Sequence, residues 1–359
     1  MDKQFFPIRK EINKKINEVI SSKAFIQGPY VAELEKKFSR LHGCQWAAGC
    51  SSGTSALLLS LEASGIQKGD EVITTPLTFI ATVEAVCQLG ARPVFADIDP
   101  DTYVMDTDQI ESRISKKTRA IIPVHLFGNP VRMDDITALA RKYNLKVIED
   151  CAQAHLSSYN GRPVGSFGDT GAFSFYPGKN LGAYGDAGMV VTNSQDLAAR
   201  IKKLLDHGRS RKYYHDILGF NHRMDGLQAG ILLVKLQYLK EWTKQRQSHA
   251  RYYNGLLKDV PGIKLPKVQE KGSHVYHLYV IRVKDRPRVM DHLKKKGIQT
   301  LIHYPVPLHL QPALGFLGYQ KGDFPNAELA AERVLSLPLY PELKRSEIEF
   351  ICQELHQCV

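Results

Sequence analysis

Paired cysteines are missing from this chain of 359 residues. Its six cysteines show no Cys-x-x-Cys spacing, and its thirteen histidines include no His-Glu-x-x-His sequence. These absences argue against the common zinc sites, so we expect no metal. In a reducing compartment, cysteines without such spacing are expected to remain free thiols.

Long apolar segments are missing as well. No apolar run approaches the length of a membrane span, and residues 1–7 lack the apolar core of a secretory signal. We therefore expect a cytoplasmic protein with no membrane partner.

The net charge of +11 raises the question of nucleic-acid binding. The basic residues, however, occur in small scattered groups such as residues 294–296, and no basic stripe is interleaved with aromatic residues. Binding of single strands needs such a stripe, so we expect no nucleic-acid partner. An anionic small substrate, such as a nucleotide diphosphate, accounts for the excess charge as well.

A lysine in a tight loop is the most informative residue that is present. Lys179 follows an apolar strand-like segment and lies between Pro177 and Gly182, both of which favour turns. A lysine held at the end of a strand, where its pKa can be lowered, is suited to forming a Schiff base. On position alone, an ordinary solvated lysine remains the alternative.

A carboxylate occupies a comparable position earlier in the chain. An apolar segment ends in Glu149 and Asp150, and the carboxyl ends of strands in an open α/β sheet face the ligand crevice. A carboxylate there can keep the ring nitrogen of a cofactor protonated, and Gln153 could donate to a phenolate oxygen beside it. The alternative is that Asp150 caps a following helix.

A third segment has the features of a phosphate site. Within residues 49–59, a turn with Ser52, Gly53 and Thr54 leads into a run that favours helix. A helix N-terminus offers free N–H groups and a positive dipole end to a phosphate. The glycine spacing is that of neither a Walker loop nor a dinucleotide fingerprint. A Ser or Thr N-cap without a ligand is the alternative.

Taken together, these segments resemble the DegT/DnrJ/StrS family of sugar aminotransferases, within the aspartate-aminotransferase-like (fold type I) enzymes. Each segment alone is weak evidence for the family, whereas nine segments in the same order over nearly the whole chain are highly specific evidence. The matching segments are residues 28–35, 52–57, 75–82, 123–128, 149–155, 174–182, 185–188, 219–224 and 302–305.

The resemblance implies pyridoxal 5'-phosphate (PLP) as the cofactor. Lys179 would be the catalytic residue that carries PLP as a Schiff base and then acts as the base that moves the proton. Asp150 would pair with the ring nitrogen and Gln153 with the ring hydroxyl. Phe79 matches the aromatic position stacked on the ring, although a core phenylalanine is the alternative without the motif.

The resemblance also implies how the phosphate is bound. Gly53, Thr54 and Ser174 match the positions that contact the phosphate within one chain. Asn221 matches the residue that reaches the phosphate of a neighbouring subunit. The expected assembly is therefore a homodimer with shared active sites.

For the substrate, the resemblance places His303, Tyr304 and His309 in the sugar-nucleotide region. Arg223 could bind the donor carboxylate or the nucleotide phosphate, or it could be a structural ion-pair partner. Family members that act as dehydratases carry histidine in place of the lysine, so the presence of Lys179 favours transamination.

We therefore expect an aminotransferase that moves an amino group from glutamate to a nucleotide-linked keto-sugar in amino-sugar biosynthesis. Residues 185–188 and 212–215 resemble members acting at C3 more than members acting at C4, whereas residues 224–230 are less typical of the C3 group. The alternatives are a PLP-binding regulatory or sensory protein without turnover, or an aminotransferase for another keto-sugar or a keto-cyclitol.

Alternating strand and helix patterns predict an α/β fold with a largely parallel sheet between helices. The resemblance to fold type I implies a seven-stranded sheet in a large PLP-binding domain, residues 1–245, and a smaller C-terminal α+β domain, residues 246–359. A helix is predicted over residues 133–143 with Asn144 as its stop, and one long helix over residues 227–246. Strands are predicted at residues 71–75, 93–98, 120–125, 146–150, 170–175 and 189–192.

Overall fold

The computed structural model describes residues 2–359, so Met1, the first residue of the predicted large domain, lies outside it. In that part of the chain the α-helices are α1 Asp2–Ser22, α2 Pro29–Leu41, α3 Gly53–Ala63, α4 Ala81–Gln88, α5 Met133–Tyr143, α6 Gln195–Leu204, α7 Gly226–Leu236, α8 Leu239–Leu257, α9 Arg286–Lys295, α10 Pro325–Arg333 and α11 Arg345–Cys358. The strands are β1 Trp46–Cys50, β2 Glu71–Thr74, β3 Arg92–Phe95, β4 Thr118–Ile121, β5 Lys146–Asp150, β6 Ser158–Tyr159, β7 Arg162–Pro163, β8 Thr170–Ser174, β9 Gly188–Thr192, β10 Arg209–Arg211, β11 Tyr214–His215, β12 Ile263–Lys264, β13 Gly272–Ser273, β14 Tyr279–Val283 and β15 Val334–Leu337.

The central sheet has seven strands in the order β1-β9-β8-β5-β4-β2-β3. Neighbouring strands from β8 to β3 run parallel, and β9 is antiparallel to both of its neighbours. This confirms the predicted α/β fold with a mostly parallel sheet. β1 is missing from the predicted strands because its Ala-Ala-Gly sequence has little strand propensity.

Helices cover both faces of this sheet, as the alternation along β8 and β9 shows. Ala172 and Val190 belong to the core formed with α3, whereas Phe173 and Met189 belong to a second core formed with α2 and α7. Successive side chains of a strand point to opposite faces, so the sheet is buried on both sides. A ligand can therefore reach β5 at its carboxyl end, along the line where the parallel strands end.

The prediction of one long helix over residues 227–246 is wrong. The chain forms α7 and α8, separated by Gln237 and Tyr238, whose N–H groups donate to carbonyls three residues back at 3.2 and 3.0 Å. Tyr238 turns out to stack on Trp242, with ring centroids 5.6 Å apart. The apolar pattern continues through the break, so periodicity alone does not reveal it.

The C-terminal part has its own core around the antiparallel sheet β12-β14-β15. This core joins Tyr253 of α8, Tyr279 of β14 and Leu355 of α11, and its buried members all lie within residues 250–358. We propose the division at residue 245 on this basis, with α8 extending across it. Helix α5 ends as predicted, because Asn144 adopts a left-handed conformation with φ 52°.

Among the helices of residues 2–359, none combines the length and the apolar character that crossing a bilayer requires.

Candidate active site

Lys179 lies in a tight loop directly after β8. Its backbone N–H donates to the Tyr176 carbonyl at 2.8 Å, and the N–H of Ala183 closes the loop onto the Phe175 carbonyl at 2.7 Å. A Cβ on Gly182 would lie 2.4 Å from the Pro177 carbonyl oxygen, so the loop needs glycine there. Burial lowers the pKa of Lys179 to about 8, against the opposing charge of Asp150. The amine is therefore more readily deprotonated than a surface lysine.

Asp150 is the last residue of β5, the strand next to β8. Its Oδ2 accepts a hydrogen bond from Thr82 Oγ1 at 2.9 Å, and its Oδ1 accepts one from the Ala152 N–H at 3.1 Å. The alternative of a helix cap is wrong, because the next α-helix after β5 is α6. Burial raises the pKa of Asp150, and no cationic side chain of residues 2–359 forms an ion pair with it. A buried carboxylate of this kind suits a positively charged ligand group.

Gln153 connects β5 to the C-terminal part of the chain. Its Oε1 accepts a hydrogen bond from the Phe127 N–H at 2.6 Å, and its Nε2 donates to Tyr304 Oη at 3.0 Å. The ring centroids of Phe79 and Tyr304 lie 6.0 Å apart, and Phe79 is 55% exposed. Phe79 is therefore not a core residue, and its ring is free to contact a ligand.

The predicted phosphate site lies at the start of α3. Ser52 is the N-cap, and its Oγ accepts a hydrogen bond from the Ser55 N–H at 3.0 Å. A Cβ on Gly53 would lie 2.6 Å from Ser174 Cβ, so glycine lets the helix start pack directly against the end of β8. Gly53 and Thr54 are the first two residues of α3, so the positive end of the helix dipole lies beside Ser174.

Two of the predicted substrate residues are already engaged with protein groups. Arg223 Nη1 lies 2.7 Å from Asp206 Oδ1, the ion pair that was the structural alternative for this residue. The His309 ring is fully buried, with its Nε2 3.0 Å from Glu328 Oε1 and its ring packed on Phe324. Protein side chains cover the His309 ring, and its contact with a substrate stays a prediction.

The other substrate candidates lie together. His303 is half-buried, and its Nδ1 lies 2.8 Å from Ser336 Oγ. Burial, followed by the charge of Lys179, lowers the pKa of His303. Tyr304 is adjacent in sequence and contacts Gln153, so this segment lies beside the Asp150 end of β5.

Sequence reasoning missed His277, which contacts the neighbour of the lysine. Its Nδ1 lies 3.3 Å from Asn180 Oδ1, and Asn180 Nδ2 donates to the Val275 carbonyl at 3.3 Å. The His277 N–H donates to the Phe127 carbonyl at 2.9 Å. The signal available in the sequence was Asn180 itself, a polar residue directly after Lys179 that proves to be buried.

Glu149 fixes the end of β5 from the opposite side of the strand. It is fully buried and accepts hydrogen bonds from His125 Nε2 at 3.1 Å and from the N–H groups of the loop before β8. Those loop donors are Gly165, Phe167 and Gly168. His125 Nδ1 accepts from the Val131 N–H, which assigns the proton to Nε2. His125, Glu149 and Cys151 lie close enough to hold a metal, but the histidine and the carboxylate are already hydrogen-bonded.

Comparison with known proteins assigns the family. Residues 7–356 match the model of the DegT/DnrJ/EryC1/StrS aminotransferase family.

The chain belongs to this family.

Relatives and solved structures agree over nearly the full length. The chain is 44% identical to the pleiotropic regulatory protein of Geobacillus stearothermophilus, covering 99% of this chain and 96% of that protein. It is also 44% identical to the dTDP-3-amino-3,6-dideoxy-alpha-D-galactopyranose transaminase of Aneurinibacillus thermoaerophilus, covering 97% and 95%. The crystal structure of DesV from S. venezuelae, in complex with a ketimine intermediate, superposes with a TM-score of 0.97 at 39% identity, covering 99% and 96%.

The DegT/DnrJ/EryC1/StrS aminotransferases use PLP, and solved structures of similar proteins include forms with bound PMP. The side chains at this site fit that cofactor. Asp150 is a buried carboxylate that forms no ion pair with the described residues, although the charge of Lys179 acts on it, and this suits a protonated ring nitrogen. The start of α3 at Gly53 suits the phosphate, and Lys179 is an amine of lowered pKa. The chain is therefore a PLP-dependent aminotransferase.

Proposed function

We propose that this aminotransferase moves the amino group of L-glutamate to C3 of a nucleotide-linked keto-sugar, in amino-sugar biosynthesis. The transamination chemistry of this proposal is carried by the placement of Lys179 and Asp150 after the ends of adjacent strands, β8 and β5. One is an amine with its pKa lowered to about 8, and the other is a buried carboxylate.

Each group of the site has a definite task in such a reaction. Bound PLP supplies an electron sink that makes the Cα proton of the amino donor acidic. Lys179 Nζ takes up that proton and returns it, which its lowered pKa allows near neutral pH. Asp150 stabilises a positive charge on the ring, and Thr82 holds its Oδ2 in place. Phe79, an exposed aromatic side chain near Tyr304, would stack on the ring of the cofactor.

The C3 position rests on sequence and on relatives. The relative from Aneurinibacillus thermoaerophilus is named for a 3-amino sugar. Residues 185–188 and 212–215 also resemble members that act at C3. The Geobacillus relative, by contrast, is named as a regulatory protein, so binding of PLP without turnover is the second candidate function.

A two-step reaction distinguishes these candidates. We expect glutamate to convert the bound cofactor to the amino form, and a nucleotide-linked 3-keto-sugar to return it to the starting spectrum. The amino group should appear at C3 of the product by NMR. A panel with 4-keto-sugars and a keto-cyclitol serves as the control. A cofactor band that glutamate leaves unchanged would favour the regulatory function, and a product amine at C4 would overturn the C3 assignment.

We also propose a homodimer in which Asn221 reaches the phosphate of the neighbouring subunit. Asn221 is exposed on the segment that precedes α7. Nearby, Tyr213 is 81% and Leu218 96% exposed, which is unusual for apolar side chains unless another surface covers them. The exposed hairpin β10–β11 and the segment after it therefore support a second copy at this surface.

Mixing two inactive variants tests the shared site. Lys179→Ala and Asn221→Ala are expected to be weak as separate homodimers. In a hybrid dimer one of the two sites keeps both residues, so random re-association should restore about a quarter of the wild-type activity. Activity of the mixture that only equals the sum of its components would show that Asn221 does not act across the interface.

A further inference from the structure

One face of α7 contacts the loop that carries Lys179. Gln228 and Lys235 are seven residues apart, about two helical turns, and so lie on the same side of the helix. Gln228 Oε1 accepts from the Tyr184 N–H at 2.9 Å, and Gln228 Nε2 donates to the Tyr184 carbonyl at 3.4 Å. Lys235 Nζ donates to the Gly182 carbonyl. Both side chains thus hold the second half of the loop.

Lys235 is a costly residue at this position. It is only 3% exposed, and it forms no ion pair with a carboxylate in the described part of the chain. Burial lowers its pKa to about 8, and its ammonium lies 5.0 Å from the ring centre of Tyr184. The effect of burial exceeds the attraction of Glu342, so a charge at this position is unfavourable. Methionine would fill the space without that cost. Packing therefore does not account for lysine here, whereas its bond to the loop does.

These side-chain contacts hold one end of the loop. Backbone bonds also close the loop on itself, from the Lys179 N–H to the Tyr176 carbonyl and from the Ala183 N–H to the Phe175 carbonyl. Lys235 and Gln228 add side-chain bonds on either side of Ala183, to the Gly182 carbonyl and to the Tyr184 backbone. A cavity of about 370 Å³ between the loop and α1 also borders Lys235, so the loop has room to relax if that contact is lost.

We propose that Lys235 and Gln228 are positioning residues that fix the Lys179 loop and thereby the direction of Lys179 Nζ. The inference rests on the role of Lys179 in the proposed function. It does not depend on which sugar is the substrate.

The test compares Lys235→Met, Lys235→Arg and Gln228→Leu in the full-length enzyme. For Lys235→Met we expect kcat to fall by roughly 10- to 100-fold, because a small misplacement of a reacting group has effects of this size. KM for the keto-sugar should change by less than about threefold. Gln228→Leu should show a smaller fall of the same kind, and Lys235→Arg should recover part of the rate, since it keeps a cationic donor.

A second readout needs neither cofactor nor substrate. Competitive acetylation followed by peptide mass spectrometry reports the pKa of Lys179 in the cofactor-free chain. In Lys235→Met that pKa should rise from about 8 toward the ordinary lysine value, because a relaxed loop exposes the amine to water. This measurement remains valid even if the proposed sugar reaction is not found, so the two failures are distinguishable.

Ile231→Ala is the matched control on the same helix. Ile231 packs in a small core with Ile12 of α1 and Trp242 of α8, and its side chain has no polar group that could bond to the loop. Ile231→Ala should lower the melting temperature. It should leave kcat within about twofold of the wild-type value and leave the pKa of Lys179 unchanged. The proposal is overturned if Lys235→Met keeps both values unchanged, or if Ile231→Ala reproduces the losses. Should Lys235→Met fail to fold, the half-buried Gln228→Leu decides by the same criteria.

Discussion

Replacing Lys179 by arginine is expected to lower kcat of transamination by about four orders of magnitude, the upper end of what a positioned proton-transfer group contributes. Arginine has a similar length, but its guanidinium stays protonated and is a poor nucleophile. It can neither attach the cofactor covalently nor take a proton from the donor. The burial that lowers the pKa of Lys179 to about 8 cannot bring a guanidinium into the useful range.

The measurement is kcat for glutamate with the keto-sugar, together with the visible spectrum of the bound cofactor. Lys116→Ala, at an exposed position, is the control and should match the wild type. A Lys179→Arg enzyme that keeps a tenth of the wild-type kcat would contradict the role assigned to Lys179.

Asp150→Asn is expected to lower kcat by about 10²- to 10³-fold while PLP still binds through its phosphate. Asparagine fits the same space and can still accept from Thr82 Oγ1, the partner that lies 2.9 Å from Asp150 Oδ2. It carries no charge, however, and so cannot keep the ring nitrogen protonated. Because the charge of Asp150 raises the pKa of Lys179, its removal should also lower that pKa further.

Stopped-flow spectra of the glutamate half-reaction measure the first effect, and acetylation of the cofactor-free chain measures the second. Thr82→Val is a graded control, because it removes one hydrogen bond from Asp150 but leaves its charge. It should cost less than about tenfold in rate. If Asp150→Asn were no slower than Thr82→Val, the charge of Asp150 would not matter for the reaction.

The part of the site that the sequence predicts follows from the rules of parallel sheets. Asp150 and Lys179 each follow an apolar segment, and adjacent parallel strands bring their carboxyl ends to one edge. Gly53 is recognisable because a small-residue turn precedes a helix-forming run. These inferences need only the local sequence and the direction of the strands, and they place Asp150, Lys179 and Gly53 at one site.

Contacts between distant segments could not be predicted in the same way. Gln153 contacts Tyr304, and Asn180 contacts His277, through hydrogen bonds that depend on how the C-terminal segments pack onto β5 and β8. His309 has a histidine's chemistry but is buried against Glu328, which no local pattern reveals. The contacts of Gln228 and Lys235 with the Lys179 loop could not be predicted for a similar reason. The single helix predicted over residues 227–246 gives Lys235 no particular partner.

Trapping the cofactor on the protein tests whether Lys179 carries it. The holoenzyme is reduced with borohydride, digested and analysed by peptide mass spectrometry. We predict a pyridoxyl group on Lys179, and none on Lys235 although its pKa is also lowered to about 8. A pyridoxyl group on any other lysine, or on none, would show that Lys179 does not carry the cofactor.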